Sequence, residues 1–284
     1  MSHAIAEALA LFGAGVAAGT INTVVGSGTL ITFPTLLAFG YPPVLANVTN
    51  TVGLVPGVVS GVHGYRAELA GQLGRLKVLG SASLCGGLLG AILLLVLPAA
   101  AFKAIVPALV AIALVMVVIQ PRLAKWVAAR QRARDARTGA DEEADGGSKP
   151  GSFGRIKRSL SGADRSAGAV GPVLWLLIFL TGIYGGYFGA AQGVLLIGLL
   201  GIAFDDGLQR VNATKNVLAA LVNGIAAVVF IAFSHIAWGA AGLLAAGSIL
   251  GGQIGARVGR RLPPWGLRLL IVCVGVVALV KLLV

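Results

Sequence analysis

Two short polar segments recur in an otherwise apolar chain, and their residue types suit the binding of a small anion. The segments are Asn47-Val48-Thr49-Asn50-Thr51 and Asn212-Ala213-Thr214-Lys215-Asn216, and each follows a hydrophobic stretch interrupted by small residues. The interruptions are Gly26-Ser27-Gly28 and the run from Gly189 to Gly193. Interrupted helices expose backbone N–H groups and a positive dipole end, which favour an anion. The predicted substrate-binding residues are Asn22, Ser27, Gly28, Thr29, Asn47, Thr49, Asn50, Gln192, Gly193, Asn212, Thr214, Lys215 and Asn216.

Lys215 is the strongest difference between the two polar segments, because Asn50 stands at its position in the first. An ionisable side chain at membrane depth is by default a functional hypothesis, so Lys215 is predicted to add charge to the site from one side. The alternative is that its ammonium reaches the membrane surface beside Arg210. Asn47 and Asn212 have an alternative too, because Asn is a good helix cap.

The composition predicts a membrane protein with several spans. The 284 residues are 57% hydrophobic and only 11% charged, with a mean hydropathy of +0.92. An average soluble domain has roughly 25% charged residues, so a soluble globular enzyme is excluded. Apolar runs long enough for a transmembrane helix, about 20 residues, recur along nearly the whole chain, whereas a membrane barrel would show short alternating strands. The lipid bilayer is therefore a predicted partner.

The positive charge is concentrated in one central stretch. Residues 121–170 hold 11 of the 22 Lys and Arg residues and 6 of the 10 acidic residues. Basic loops next to membrane spans mark the cytoplasmic side. No nucleic-acid recognition motif accompanies the charge, so nucleic acid is not a predicted partner. We interpret residues 121–170 as a cytoplasmic linker, partly mobile at residues 139–152, between transmembrane repeats at residues 1–120 and 171–284.

A single offset of 165 residues aligns these two halves. It pairs Asn47-Val48-Thr49 with Asn212-Ala213-Thr214, residues 86–91 with 251–256, and Pro98 with Pro263. Self-similarity at a fixed offset is the sequence sign of duplication. The predicted hydrophobic segments are 4–40, 44–64, 76–97 and 99–119 in the first half, and 172–204, 208–233, 238–258 and 265–284 in the second. Each first segment is too long for one span and is predicted to form two short helices.

The loop charges predict that the two halves are inverted. In the first half the basic loop carries Arg66, Arg75 and Lys77, whereas in the second half the corresponding loop at residues 234–238 has no formal charge. The next loop of the second half is the basic one. We therefore predict an all-α polytopic bundle of two inverted repeats with Gly-broken short or re-entrant helices, both termini lying outside. Gly247, Gly251, Gly255 and Gly259 are predicted to serve close helix packing.

The sequence gives only weak signals for catalytic, proton-relay or metal-binding residues. Ser27 and His63 could be imagined as a serine–histidine pair of an intramembrane enzyme, but no third orienting group stands out. His63 and His235 could relay protons, although a lone His at a span end is more often interfacial. No clustered metal ligands are present, and Cys85 and Cys273 lie in apolar runs, so neither a metal nor another cofactor is predicted. Acidic residues are few, which leaves uniport or export down a gradient open.

The motifs together resemble one membrane permease family. The run from Gly26 to Pro34, followed by Tyr41-Pro42-Pro43 and Asn47 to Thr51, and the related segments of the second half are similar to the sulfite exporter TauE/SafE family. The resemblance covers essentially the whole chain except the linker. It implies a multi-pass protein of the bacterial cytoplasmic membrane, without enzymatic activity, that moves sulfite, sulfonates, sulfoacetate or related sulfur anions. A homo-oligomer is left open, and a non-transporting membrane enzyme or scaffold is the alternative.

Overall fold

The computed structural model describes residues 2–144, 170–204 and 206–258, together with residues 272, 273, 276 and 279. Within these residues every regular element is a helix, which confirms the predicted all-α class. The elements are α1 (Ser2–Val24), α2 (Thr29–Ala38), α3 (Pro43–Gly64), a 3₁₀ turn (Arg66–Leu69), α4 (Leu73–Val96), α5 (Ala99–Ala144), α6 (Pro172–Tyr187), α7 (Gln192–Ala203), α8 (Leu208–Phe233) and α9 (Trp238–Val258).

Six described helices are long and apolar enough to cross a bilayer, which confirms a polytopic membrane protein. They are α1, α3, α4, the first part of α5 (Ala99–Leu123), α8 and α9. Three apolar helices, α2, α6 and α7, are shorter, with 10, 16 and 12 residues. The predicted spans at 44–64, 76–97, 99–119, 208–233 and 238–258 each fall on a long helix. The predicted span at 265–284 lies almost wholly outside the described residues.

The first hydrophobic segment of each half is broken where the small residues predict a break. Residues 4–40 form α1 and α2, and residues 172–204 form α6 and α7. α1 has 23 residues and can cross a bilayer alone, so it is longer than the short helix we expected. Its internal glycines do not interrupt it. Gly15 and Gly19 instead allow the main chain of α9 to approach closely.

Both broken helices end in the same way. The carbonyl oxygen of Ile21 accepts hydrogen bonds from the N–H groups of Val25 and Gly26, and the carbonyl of Tyr184 accepts them from Phe188 and Gly189. The closing glycines have positive φ angles, 86° at Gly26 and 76° at Gly189. Glycine adopts this left-handed conformation without a Cβ clash, and this conformation commonly ends helices. The two glycines therefore set the positions of the breaks.

Glycines bring each broken helix against a helix of the opposite half. α1 packs along α9, where a Cβ atom on Gly251 would lie 2.1 Å from the carbonyl oxygen of Val16. α6 packs along α4, where a Cβ atom on Gly86 would lie 2.2 Å from the carbonyl oxygen of Phe179. The packing role predicted for Gly247, Gly251 and Gly255 is confirmed, and Gly259 lies outside the described residues.

Several contacts recur with the two halves exchanged. The hydroxyl of Thr49 in α3 accepts the N–H of Ala237, just before α9, at 3.2 Å. The hydroxyl of Thr214 in α8 donates to Oε1 of Gln72, just before α4, at 2.7 Å. Thr49 and Thr214 are 165 residues apart, and so are Gln72 and Ala237. The same offset that aligns the sequence halves therefore relates these contacts.

The order of the contacts gives the relative directions of the helices. Gly53 and Ser60 of α3 meet Ala241 and Ile249 of α9 respectively, so these two helices are parallel. Tyr65, just after α3, meets Asn212 near the start of α8. Val58, earlier in α3, lines the same small cavity as Ala219, later in α8. The two contacts run in opposite order, so α3 and α8, which the offset pairs, are antiparallel.

The linker begins as a continuation of a membrane helix. α5 runs on to Ala144 and so includes the first part of the predicted linker at residues 121–170. Residues 139–144 of the segment expected to be mobile belong to this helix, and residues 145–169 lie outside the described residues.

Three aromatic rings anchor the second break within the core. Phe188 follows α6 directly, and its ring contacts Phe33 of α2 edge to face at 5.3 Å. It also contacts Phe102 of α5 at 6.3 Å, and all three side chains are at most 2% exposed. Such edge-to-face pairs stabilise beyond their buried area. The core thus holds the break between α6 and α7 against the first half of the chain.

Candidate functional site

The two helix breaks touch each other at a pair of glycines. The N–H of Gly193 donates a 3.1 Å hydrogen bond to the carbonyl oxygen of Gly26. A Cβ atom added to Gly26 would lie 2.4 Å from the Cα atom of Gly193. Only glycine at both positions allows this approach, so the crossing requires the residue types found there.

A small polar cavity lies beside this crossing. It is lined from both halves of the chain by Asn22, Gly26, Thr29, Val58, Gly189, Gln192, Gly193, Asn216, Ala219 and Asn223. Four carboxamides and one hydroxyl supply its polar side chains, and none of these lining residues is charged. Neutral donors of this kind can surround a small anion.

The cavity is small. Its volume is about 20 Å³. A single water needs roughly 10–15 Å³ on the same measure, so the cavity holds about one water. A ligand larger than a water could enter only if the two breaks or the flanking helices moved apart.

Gln192, the first residue of α7, lines the cavity and has a buried, unpaired donor. Its side chain is 3% exposed, and Nε2 has no hydrogen-bond partner among the described residues. The carboxamide lies over Gly185 of α6, where a Cβ atom would come within 2.4 Å of Cδ of Gln192. A buried donor without an acceptor is costly, which favours a ligand or water acceptor at this point.

The N–H of Gly28, predicted to donate to an anion, already has an acceptor within the protein. Oδ1 of Asn22 accepts it at 2.7 Å, so the Asn22 side chain occupies the direction from which an anion oxygen would approach. The N–H of Gly193 is likewise bound to Gly26. Both donors can meet an anion only if these internal acceptors move.

Lys215 is fully buried beside the cavity, and its ammonium contacts the end of α1. Nζ donates to the carbonyl oxygens of Asn22 at 3.0 Å and Thr23 at 3.2 Å. Nδ2 of Asn216 donates to the same Thr23 carbonyl at 3.3 Å. Lys215 is 0% exposed and does not reach the membrane surface, whereas Arg210 pairs with Asp206 at 3.2 Å.

Two further predicted residues lie close to the first break without lining the cavity. Asn50 bridges hydroxyls at the start of α2: its Nδ2 donates to Thr29 at 3.4 Å, and its Oδ1 accepts from Thr32. Ser27 is 0% exposed, and its Oγ has no partner among the described residues. Asn50 thus positions Thr29, which lines the cavity.

The remaining predicted residues connect helices elsewhere. Nδ2 of Asn47 donates to the carbonyl oxygen of Tyr187, at the end of α6, at 2.9 Å. Nδ2 of Asn212 approaches the hydroxyl of Tyr65 at 3.5 Å. Thr49 and Thr214 make the exchanged contacts to the residues before α9 and α4. Asn47 therefore caps the end of the opposite broken helix, whereas the cavity receives Asn22, Thr29, Gln192, Gly193 and Asn216 from the predicted set.

Sequence reasoning did not select Asn223, which lines the cavity from α8. Asn216, Ala219 and Asn223 are spaced by three and four residues and so share one helix face. The available signal was an Asn inside an apolar helix, seven residues, or two helical turns, after Asn216. Val58 is an apolar wall residue with no polar signal.

The described residues contain neither a hydrogen-bonded Ser27–His63 pair nor a group of clustered metal ligands. The hydrogen bonds found there include none between Ser27 and His63, and Nε2 of His63 lies 3.1 Å from Nη1 of Arg66. His, Cys, Asp and Glu form no group of three or more with the spacing of metal ligands in the same part of the chain.

A second polar cluster joins the two halves away from the cavity. Nη2 of Arg75, at the start of α4, lies 2.5 Å from Oδ2 of Asp206 in the loop before α8. The guanidinium also stacks over the ring of Phe204, 4.1 Å from its centre, and contacts Gln72. The Arg75 side chain is 6% exposed, so much of this ion pair is shielded from water.

The loop between α2 and α3 carries a different contact. The hydroxyl of Tyr41 donates to Oε1 of Glu7 at 2.8 Å. Desolvation raises the pKa of Tyr41 above its ordinary value, and the hydrogen bond and charge of Glu7 raise it further. Glu7 lies in α1.

The fold and the cavity define a class, the polytopic membrane proteins whose interrupted helices meet at a polar site. Residues 11–282 match the sequence profile of the family described as "Sulfite exporter TauE/SafE". The chain belongs to this family and is a membrane transporter, as the sequence resemblance predicted.

Two curated relatives are similar over most of their length. A "Probable membrane transporter protein ORF9" from Sinorhizobium sp is 28% identical over 250 residues, covering 87% of this chain and 81% of the relative. A "Probable membrane transporter protein" from Haemophilus influenzae is 26% identical over 252 residues, covering 87% and 83%. No solved structure gives a significant match.

Proposed function

We propose that the chain is a secondary transporter that exports a small sulfur-containing anion, such as sulfite, a sulfonate or sulfoacetate, across the bacterial cytoplasmic membrane. The observation that carries this proposal is the cavity at the glycine crossing, lined by carboxamides from both halves. A site built from both halves can open to either side when one half moves against the other, which is alternating access.

The donors around the cavity suit a sulfur oxyanion. Gln192 offers an unpaired N–H, and the N–H groups of Gly28 and Gly193 become available when their internal acceptors move. A sulfite or sulfonate group has several oxygen acceptors that can replace Oδ1 of Asn22 and the carbonyl oxygen of Gly26. Substrate binding and opening of the crossing would then be coupled.

The two halves are proposed to be inverted repeats with the linker in the cytoplasm. Antiparallel α3 and α8 and the exchanged threonine contacts support this arrangement. In a cysteine-free background, His235→Cys should react with an impermeant thiol reagent from outside intact cells, whereas Ala67→Cys should react only after permeabilisation. Both side chains are exposed in the structure, so accessibility to the reagent reports the side of the membrane. The reverse labelling pattern contradicts the orientation.

The transport proposal is tested by flux in proteoliposomes. Purified protein is reconstituted into vesicles loaded with sulfite, sulfonates, thiosulfate or sulfoacetate, and efflux is compared with protein-free vesicles. We expect efflux without ATP for at least one of these anions. Absence of efflux for all of them, beside a working control transporter, favours the alternative of a non-transporting membrane enzyme or scaffold.

A further inference from the structure

The end of α1 carries partial negative charge and lies next to the proposed anion site. The last carbonyl groups of a helix have no partner within the helix, and they form the negative end of its dipole. In α1 the carbonyl of Ile21 is satisfied by Val25 and Gly26, but those of Asn22 and Thr23 need partners from elsewhere. An uncompensated negative helix end beside the cavity would repel an anion.

Lys215 supplies the compensating charge. Its Nζ donates to both carbonyls, at 3.0 Å and 3.2 Å, from a side chain that is 0% exposed. Among the described residues no carboxylate forms an ion pair with this ammonium. Its charge is therefore balanced by the carbonyl oxygens of the helix end, helped by the Asn216 amide that donates to Thr23.

The end of the opposite broken helix, α6, provides a comparison. The end of α6 receives a neutral donor, Nδ2 of Asn47, on the carbonyl of Tyr187. Asn50, which the 165-residue offset pairs with Lys215, contacts Thr29 and Thr32 and not the end of α6. A basic side chain therefore contacts the end of α1, whereas the residue at the paired position is a neutral Asn that contacts α2.

Carbonyl oxygens at the end of a broken helix are the ligands that transporters of this general architecture use for a coupling cation. We propose that the Lys215 ammonium is a tethered cation that fills this position at the end of α1, so that transport by this chain does not require sodium. The statement about transport rests on the proposed function, whereas the cation site itself does not.

The cation site is tested first without substrate, by thermal unfolding in detergent. Lys215→Ala removes the atoms that n-propylammonium can replace, so this variant should melt earlier than the wild type and be restabilised by about millimolar n-propylammonium. Tetramethylammonium, which has no N–H donor, should have no such effect. Wild-type protein and Lys103→Ala, which lacks an exposed lysine of α5, are the controls and should not respond to n-propylammonium. Equal responses in all proteins, or none in Lys215→Ala, overturn the proposal.

A second variant separates charge from packing. Lys215→Met keeps a long unbranched stem but has no ammonium, so it should resemble Lys215→Ala before rescue. In proteoliposomes both variants should lose sulfur-anion flux by about tenfold or more, the factor expected for a charge-assisted hydrogen bond. Wild-type stability and flux in Lys215→Met would show that the charge is not needed and would overturn the proposal.

Wild-type protein provides the test of sodium dependence. Its flux should be the same with a sodium gradient as with N-methyl-D-glucamine replacing sodium on both sides. Flux that requires sodium overturns the proposal, even if neither Lys215 variant can be purified. If the wild type moves no sulfur anion at all, the proposed function fails, and the thermal rescue of Lys215→Ala still decides whether the cation site exists.

Discussion

The N–H of Gly193 donates a 3.1 Å hydrogen bond to the carbonyl oxygen of Gly26, so the two helix breaks are joined through their main chains. This contact connects residues from opposite halves of the chain at the wall of the polar cavity. A motion that opens the cavity between the breaks must break or stretch this bond. The crossing is therefore the point at which we expect stability and transport to respond together.

Gly193→Ala should destabilise the protein and reduce flux. The new Cβ would lie 2.5 Å from the Cα atom of Gly26, and main-chain atoms cannot move aside as a flexible side chain can. Overpacking of this kind costs about 1–3 kcal/mol. Thermal unfolding in detergent and proteoliposome efflux measure the two effects.

Gly224→Ala is the matched control for this substitution. Gly224 lies inside α8, and a Cβ atom there would meet nothing within 4 Å. Because Ala is favoured over Gly in a helix by about 0.5–1 kcal/mol, this variant should be as stable as the wild type or more so. Equal melting temperatures for the two variants would contradict tight packing at the crossing.

Ala191→Gly should destabilise the protein less than the same substitution at the neighbouring Ala190. Ala191 precedes α7 with φ = 60° and ψ = 15°, a left-handed conformation that costs a residue with a Cβ about 1–2 kcal/mol. Glycine removes this strain, but it adds about 0.5–1 kcal/mol of backbone entropy in the unfolded chain and, because Ala191 is 1% exposed, also removes a buried methyl group. The net change in the free energy of unfolding should therefore be close to zero. Thermal unfolding measures it.

Ala190→Gly is the neighbouring control. Ala190 is 0% exposed and is not among the residues with positive φ, so glycine there removes a buried methyl group and relieves no strain. It should lower the melting temperature. If both substitutions lower the melting temperature by the same amount, strain at Ala191 does not contribute to stability.

The helices could be predicted from sequence because their signals are local. A run of about 20 apolar residues identifies a span, and small residues inside an overlong run identify a break. The helix start at Leu208 and end at Phe233 agree with the predicted span at 208–233 for this reason. The length of α1 was harder to predict, because its internal glycines mark packing positions and not breaks.

The site was predicted only in part because rotation of a helix about its axis depends on its neighbours. Asn47 and Asn216 belong to equivalent polar segments, yet Asn216 lines the cavity and Asn47 caps α6. Polarity in a segment indicates that some residues face inward, but it does not say which partner each one meets. The contact between Gly26 and Gly193 spans the whole linker in sequence, and no local pattern encodes it.

Asn223→Leu should reduce sulfur-anion flux by about two- to tenfold while changing stability little. The substitution keeps the branched shape of the side chain at Cγ but removes a carboxamide from the cavity wall, and one hydrogen bond contributes about 0.5–1.5 kcal/mol. Nδ2 of Asn223 otherwise bonds only within its own helix, to the carbonyl of Ala219 at 2.8 Å. Efflux at several substrate concentrations, with the melting temperature as a folding check, tests this prediction.

Gln253→Leu provides the comparison for Asn223→Leu. Gln253 also carries a carboxamide inside the membrane bundle, but it bonds to Ser60 and is not part of the cavity wall. It should affect stability more than flux. If the two variants reduce flux equally, general loss of polarity explains the effect and the cavity is not the transport site.

Asp206 provides an internal comparison between two ion pairs on the same carboxylate. Arg75 approaches it at 2.5 Å with a side chain 6% exposed, whereas Arg210 approaches at 3.2 Å with a side chain 40% exposed. Double-mutant cycles of Asp206→Asn with Arg75→Gln and with Arg210→Gln should give a coupling energy of about 0.5–3 kcal/mol for the first pair. The second pair should give about 0.5 kcal/mol or less, because water screens it.

Unfolding in mixed micelles at low and high salt measures both coupling energies, and only the second should fall strongly as salt rises. Couplings of equal size and salt dependence would mean that burial of Arg75 does not strengthen the contact between α4 and the loop before α8.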